Sequence, residues 1–175
     1  SIGVDWHRKN MSKSIQVASE INKRGIKCCL TIVGASPPKN FLKPNFIKII
    51  PFMSKNNQKN IFKLKKLYLN SDYFILLSKA EAFGLVIQEA TSYGLPLILN
   101  NVDGMKYVAN KNYTIFVNKK DSPSEIASKI INLNNNLSKY KRFSFNSYSS
   151  SFNNNWNNIS RRIDKVINKI VLKKN

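Results

Sequence analysis

The stretch Tyr73-Phe-Ile-Leu-Leu77, followed by Glu81-Ala-Phe-Gly-Leu-Val-Ile-Gln-Glu89 and Ala90-Thr-Ser-Tyr-Gly-Leu-Pro96, decides the fold of this chain. An apolar run with no polar alternation reads as a strand buried on both faces. A polar loop follows it. Gly84 then opens a helix, Gly94 stops that helix, and Leu95 to Leu99 starts the next apolar run. Strand, loop, helix and strand in that order build a parallel sheet, because parallel neighbours need a helical crossover.

The same unit recurs on either side. Ile2 to Val4 reads as a strand entered part-way. Ser12 to Arg24 reads as a helix with Ile15, Ala18 and Ile21 on one side, stopped by Gly25. Cys28 to Val33 is a second continuous apolar run, broken by Gly34-Ala-Ser-Pro-Pro38. Phe46 to Phe52 and Thr114 to Val117 read as strands, and Asn57 to Leu69 as a basic amphipathic helix. Ser122-Pro-Ser-Glu125 is a capping box with proline at the first helical position, opening a helix through Ile131. The expected fold is α/β, a parallel sheet with helices on both faces. In such sheets ligands lie beyond the carboxyl ends of the strands. The loops after Val4, Val33, Leu77 and Leu99 therefore share one mouth.

From Asn132 to Asn158 the composition turns to Asn, Ser and aromatics, which leaves disorder open. Beyond it, Trp156, Ile159, Ile163, Val166 and Ile170 recur at helical spacing. A long C-terminal helix is expected, its apolar stripe docked on a partner surface or on the domain's own sheet.

A length of 175 residues with 42% hydrophobic and 11% aromatic content suits one globular domain. The chain opens at Ser1 inside a strand, so a longer protein with an N-terminal region before it is expected. No eighteen-residue apolar run exists. The 29 basic residues against 9 acidic ones give a formal charge of +20. Most of the excess is Lys, spread from end to end beside abundant Asn and Ile, as drift toward A/T-rich codons would leave it. An anionic membrane surface is the second reading of that charge. Nucleic acid is the third, since phosphate and guanine readout favours Arg. Cys28 and Cys29 are adjacent, with no other cysteine, and read as core packing in a reducing compartment. The only histidine is His7, so no zinc site is expected.

With so few carboxylates, two at the start of one helix stand out. In a continuous helix Glu81 and Glu89 would lie roughly 12 Å apart along the axis. That exceeds the roughly 5–9.5 Å at which two carboxylates share one glycosidic bond. It suits contacts to two parts of one elongated ligand. Backbone N–H groups of Phe83, Gly84 and Leu85 would face an anion along the helix dipole, and a pyrophosphate fits between. Lys9, after the first strand, lies on the same mouth and offers a countercharge. The plainer alternative makes Glu81 a helix-start acid, Glu89 a satisfied core carboxylate and Lys9 one lysine among many. The absence of Asp-x-Asp argues against a metal-held pyrophosphate. The absence of Gly-x-Gly-x-x-Gly after the first strand argues against a dinucleotide site.

Gly3-Val-Asp-Trp-His-Arg-Lys9, Thr31-Ile-Val-Gly34, Ser71-Asp-Tyr-Phe-Ile-Leu-Leu-Ser78, Glu81 to Glu89 and Gly94-Leu-Pro96 occur in this order. Together they resemble the C-terminal, Rossmann-like half of a retaining group 1 (family 4) glycosyltransferase of the GT-B fold, over nearly the whole chain. The resemblance implies a single domain, residues 1–175, that binds a nucleotide-diphosphate sugar, with the acceptor-binding N-terminal domain as its partner. It implies that Glu81 contacts the transferred sugar and Glu89 the ribose hydroxyls. Phe83, Gly84 and Leu85 would flank the diphosphate, Lys9 would stabilise it as it leaves, and Phe52-Met53 would meet the base. Family members often carry Arg directly after the first-strand glycine. Here that residue is Val4, with Arg8 as the substitute, and Asn10 stands where a glycine usually follows the Lys. The implied enzyme is a metal-independent hexosyltransferase, with no cofactor, in the cytoplasm or peripheral at the inner membrane surface. The alternative is a basic module that binds anionic lipid or nucleic acid without catalysis.

Overall fold

The computed structural model describes residues 1–81, 84–102, 104–153 and 156–171. Among the described residues five strands pair in parallel, two in one sheet and three in another, with helices between successive strands except between the first two. The order is α1 (Met11–Lys23), β1 (Leu30–Val33), β2 (Ile47–Ile50), α2 (Gln58–Leu69), β3 (Phe74–Leu76), α3 (Leu85–Ser92), β4 (Leu97–Asn100), α4 (Met105–Val108), β5 (Thr114–Val117), α5 (Pro123–Asn134), α6 (Leu137–Asn153) and α7 (Trp156–Val171). β1 pairs with β2, and β4 lies between β3 and β5. The expected first strand is reduced to a parallel bridge between Ile2 and Val33. Its backbone still joins β1, with Gly3 N donating to Val33 O at 3.0 Å.

Side-chain alternation along each strand builds two cores. Ile75, Leu77, Ile98, Ile115 and Val117 point to one face, with Ile32 of β1 and with α1 and α5 over them. Phe74, Leu76, Leu97, Leu99 and Phe116 point to the other, with Tyr68, Ile87, Ala90 and Met105 from α2, α3 and α4. Both faces of β3 and β4 are covered, which is why their sequences read as apolar runs, whereas Lys48 in β2 is exposed. Ser122 and Glu125 form the expected capping box, with Pro123 opening α5.

Three expectations change. Cys29 is exposed and Cys28 half-buried, so only Cys28 packs on the core. Both line a cavity of about 470 Å³ at the amino ends of β1 and β3, away from the mouth. Within the Asn/Ser-rich stretch, whose composition leaves disorder open, Leu137–Asn153 is helical as α6. Its Ser144 and Ser147 hydroxyls donate to Gly94 O and Leu95 O, both at 2.7 Å, and these short side chains let α6 seat closely beside the end of α3. On the apolar side of α7, Ile163, Val166, Ile167 and Ile170 are uncovered, each more than half exposed, so these four do not pack on the domain's own strands. Trp156 and Ile159 belong to that expectation, and their side chains lie outside the described residues. No helix among the described residues is long and apolar enough to cross a membrane.

Candidate active site

The loop between the first-strand remnant and α1 is held from within. Trp6 is 5% exposed, donates from Nε1 to Ser12 Oγ at 3.2 Å and meets the Phe41 ring edge-on. Residues 5–10 coil into a turn, with Lys9 N on Asp5 O at 3.0 Å and Asn10 N on His7 O at 3.1 Å. Asn10 then adopts left-handed backbone, φ 53°, as the N-cap of α1. Asparagine is among the few residues that tolerate this region.

This turn sends Lys9 inward. Lys9 is 6% exposed, and its Nζ forms an ion pair with Glu81 Oε2. Its aliphatic stem crosses Gly3, where a β-carbon would lie 2.7 Å from Lys9 Cγ. Gly34, φ 89°, adjoins it, since a β-carbon there would meet Gly3 O at 3.1 Å and the Phe52 ring at 3.8 Å. The ends of the first strand, β1 and β2 thus converge on one spot.

Glu81 is the hub. Its side chain is 11% exposed. Oε2 takes Lys9, accepts from Ser78 Oγ at 3.3 Å and lies 3.7 Å from Arg8 Nη1. Arg8 also donates to Ala80 O at 3.3 Å, while its own carbonyl accepts from Lys79 N at 2.8 Å. The first-strand loop and the loop after β3 are therefore laced together around one carboxylate. Asn100 secures the second loop from beneath. It is 3% exposed and donates from Nδ2 to Leu77 O at 2.8 Å and Ser78 O at 3.0 Å.

Gly84 turns the chain into α3 with φ 61°, and a β-carbon there would meet Ile87 Cδ1 at 2.7 Å. Both its backbone and its neighbours require glycine. Leu85, the first residue of α3, is 59% exposed at the mouth. Glu89 lies further along α3. Its Oε1 pairs with Lys55 Nζ and its Oε2 accepts from Tyr68 OH at 3.0 Å. Burial, reinforced by the Glu89 charge, pushes the Tyr68 hydroxyl far above the usual phenol range, so it remains a donor. Phe52 is 68% exposed and Met53 half-buried in the loop after β2.

Of the expected site residues, Lys9, Glu81 and Arg8 are in direct contact, and Gly84 and Leu85 open α3 between the two acids. Glu89 stands apart with its own lysine. Phe83 lies outside the described residues. Lys55, Tyr68, Ser78 and Asn100 escaped the sequence reading. Among the described residues, no three His, Cys, Asp or Glu side chains gather as a metal site.

The chain from residue 1 to 150 matches the family model for glycosyl transferases group 1. The chain belongs to the group 1 glycosyltransferases. No curated protein matches its sequence. Among solved structures, the pneumococcal O-GlcNAc transferase GtfA, in complex with UDP and GlcNAc, superposes with a TM-score of 0.73 at 18% identity, over 97% of this chain and 35% of that one. The catalytic domain of the cholesterol-α-glucosyltransferase from Helicobacter pylori is 18% identical, with a TM-score of 0.67, over 89% and 96%. HepE from Anabaena, in complex with UDP-glucose, is 17% identical, with a TM-score of 0.64, over 90% and 45%. At these identities the likeness carries the fold, that of a GT-B glycosyltransferase domain. This group 1 glycosyltransferase chain thus spans only 35% of the length of GtfA.

Proposed function

We propose that the chain is the donor-binding half of a retaining hexosyltransferase. It would bind a nucleotide-diphosphate sugar and support transfer of the sugar to an acceptor hydroxyl. The observation that carries the reading is the buried Lys9–Glu81 pair at the mouth, beside the glycine-opened start of α3.

In this reading the departing diphosphate gathers negative charge. Lys9 and the amino end of α3 face that charge in a preorganised, partly desolvated setting, where such stabilisation is strongest. Glu81 holds Lys9 before the donor arrives and orients the sugar afterwards. Arg8, half exposed beside them, supplies a second cation. Glu89 accepts the ribose hydroxyls, and the Phe52-Met53 loop meets the base. Cationic side chains and a helix terminus take the place of a metal, and no cofactor is required. The acceptor-binding domain completes the cleft, and the uncovered side of α7 is the face offered to it. The reading assigns the protein to the cytoplasm.

The test is a thermal-shift screen against UDP, GDP, ADP, CDP and their sugars. A specific ligand at about 100 times its Kd stabilises by about 2.7 kcal/mol, or roughly 5–10 °C for a domain of this size. One nucleotide class should stand out.

A second reading rests on α7, whose exposed apolar side runs along a helix that also carries Arg161, Lys165 and Lys169. Such a helix also suits the surface of an anionic membrane. Steep loss of vesicle binding with salt, with no response to nucleotides, would favour it.

A further inference from the structure

Both oxygens of Glu89 are engaged, and the two partners differ in kind. Tyr68 is fixed. It is 5% exposed and stacks on Tyr93, with ring centroids 5.0 Å apart and planes 5° from parallel. Its hydroxyl holds Oε2 in one orientation. Lys55 is exchangeable. Its side chain is 54% exposed and sits on the loop after β2. The backbone beneath it is tied to the start of α2, since Ser54 O accepts from Asn60 Nδ2 at 3.1 Å and from Asn57 N at 3.4 Å. The ammonium therefore hangs from a four-carbon stem on an anchored base.

A carboxylate offers about four lone-pair sites over its two oxygens. Tyr68 uses one on Oε2. The Lys55 ammonium uses one on Oε1, and it stands on the solvent side of the carboxylate, the side from which two vicinal hydroxyls would arrive, whereas Tyr68 holds Oε2 from the buried side. We propose that Lys55 is the resident counter-ion of the ribose seat. It fills Glu89 Oε1 while the seat is empty and is displaced by the cis-diol of the arriving nucleoside diphosphate. The proposal rests on the donor-binding reading and adds to it a residue that opposes binding and belongs to the same loop as Phe52 and Met53. Entry of the base beside that loop and release of its lysine from Glu89 are then parts of one event. An exposed ion pair of this kind biases an equilibrium by about 1.4- to 5-fold. That factor is the affinity Lys55 withholds.

Titration calorimetry of the 175-residue chain with UDP, GDP, ADP and CDP tests this. The proteins are wild type, Lys55→Met, Glu89→Gln, the double variant, and Lys59→Met. Lys59 is exposed on α2, so its variant controls for the loss of one positive charge. Against that control, Lys55→Met should bind the preferred diphosphate about 1.4- to 5-fold more tightly. The gain should shrink between about 0.05 M and about 0.5 M salt, as screening weakens the pair. It should vanish in the Glu89→Gln background, where no carboxylate calls for a counter-ion. Binding by Lys55→Met that is weaker than or equal to the control overturns the proposal and leaves the donor reading standing. So does a gain that survives both salt and Glu89→Gln. If none of the four diphosphates binds any of the proteins, the donor reading falls and takes the proposal with it.

Discussion

The stem of Lys9 lies across the bare backbone of Gly3: a β-carbon at Gly3 would sit 2.7 Å from Lys9 Cγ and 2.8 Å from Cε. Gly3 is not among the residues with positive φ, so close approach, not backbone conformation, requires the glycine. Its neighbour Gly34 requires glycine for its φ of 89°. One glycine makes room for the cation, and the other turns the adjoining strand away.

Gly3→Ala should therefore act mainly through Lys9. The added methyl cannot share space with the stem, and overpacking of this kind costs about 1–3 kcal/mol. Urea unfolding should show a lower midpoint with an unchanged slope. Affinity for a nucleotide diphosphate should fall toward that of Lys9→Ala. Full affinity in Gly3→Ala would mean that the lysine can reach the ligand from another path.

Lys9→Ala should weaken diphosphate binding by about 1.5–3 kcal/mol, the range for a hydrogen bond to a charged group. It also leaves Glu81, 11% exposed, with Arg8 at 3.7 Å as its nearest remaining cation. Calorimetry measures the first effect and thermal unfolding the second. Unchanged affinity with an intact fold would remove Lys9 from the site.

Asn100→Ala should loosen the Glu81 loop without touching any ligand. The substitution strands the Leu77 and Ser78 carbonyls, which Asn100 Nδ2 now satisfies. Each buried, unsatisfied acceptor costs about 1–3 kcal/mol. A loss of more than about 1 kcal/mol in denaturant unfolding is expected, with weaker binding of nucleotide-sugar than of free diphosphate. A variant as stable as wild type would show that water or another donor replaces the amide.

Much of this was legible in the sequence, and for one reason. A parallel strand buried on both faces must be apolar throughout, so Phe74 to Leu77 and Leu97 to Leu99 announce themselves, as does the capping box at Ser122. The glycine at the start of α3 and the two acids around it were equally plain. Long-range pairing was not. Lys55 is one lysine among many, and Tyr68 lies 21 positions from the carboxylate it holds. Asn100 reads as the polar end of an apolar run. The composition of the α6 segment leaves disorder open, because its Ser and Asn residues have poor helix propensity. Its packing depends on their small size, which propensity does not register. The cysteines misled for the converse reason, since an apolar neighbourhood in sequence does not guarantee burial at the end of a strand.

Chelation should leave donor binding intact. The proposed mouth holds its diphosphate with Lys9, Arg8 and the start of α3. Titration with a nucleotide diphosphate in excess EDTA should match titration in magnesium within about twofold, well under the tenfold that corresponds to about 1.4 kcal/mol. A strict magnesium or manganese requirement would point to a diphosphate held by a metal instead.

The most direct test sets the two acids against two ligands. Wild type, Glu81→Ala and Glu89→Ala are titrated with the preferred free diphosphate and with its nucleotide-sugar. Glu89 is assigned to the ribose, which both ligands carry, and Glu81 to the sugar, which only one carries. Glu89→Ala should weaken both ligands by about 1.5–3 kcal/mol, or roughly 10- to 150-fold. Glu81→Ala should weaken the nucleotide-sugar and spare the diphosphate. Equal losses of free diphosphate in the two variants would contradict the division of roles, and no loss in either would contradict the site.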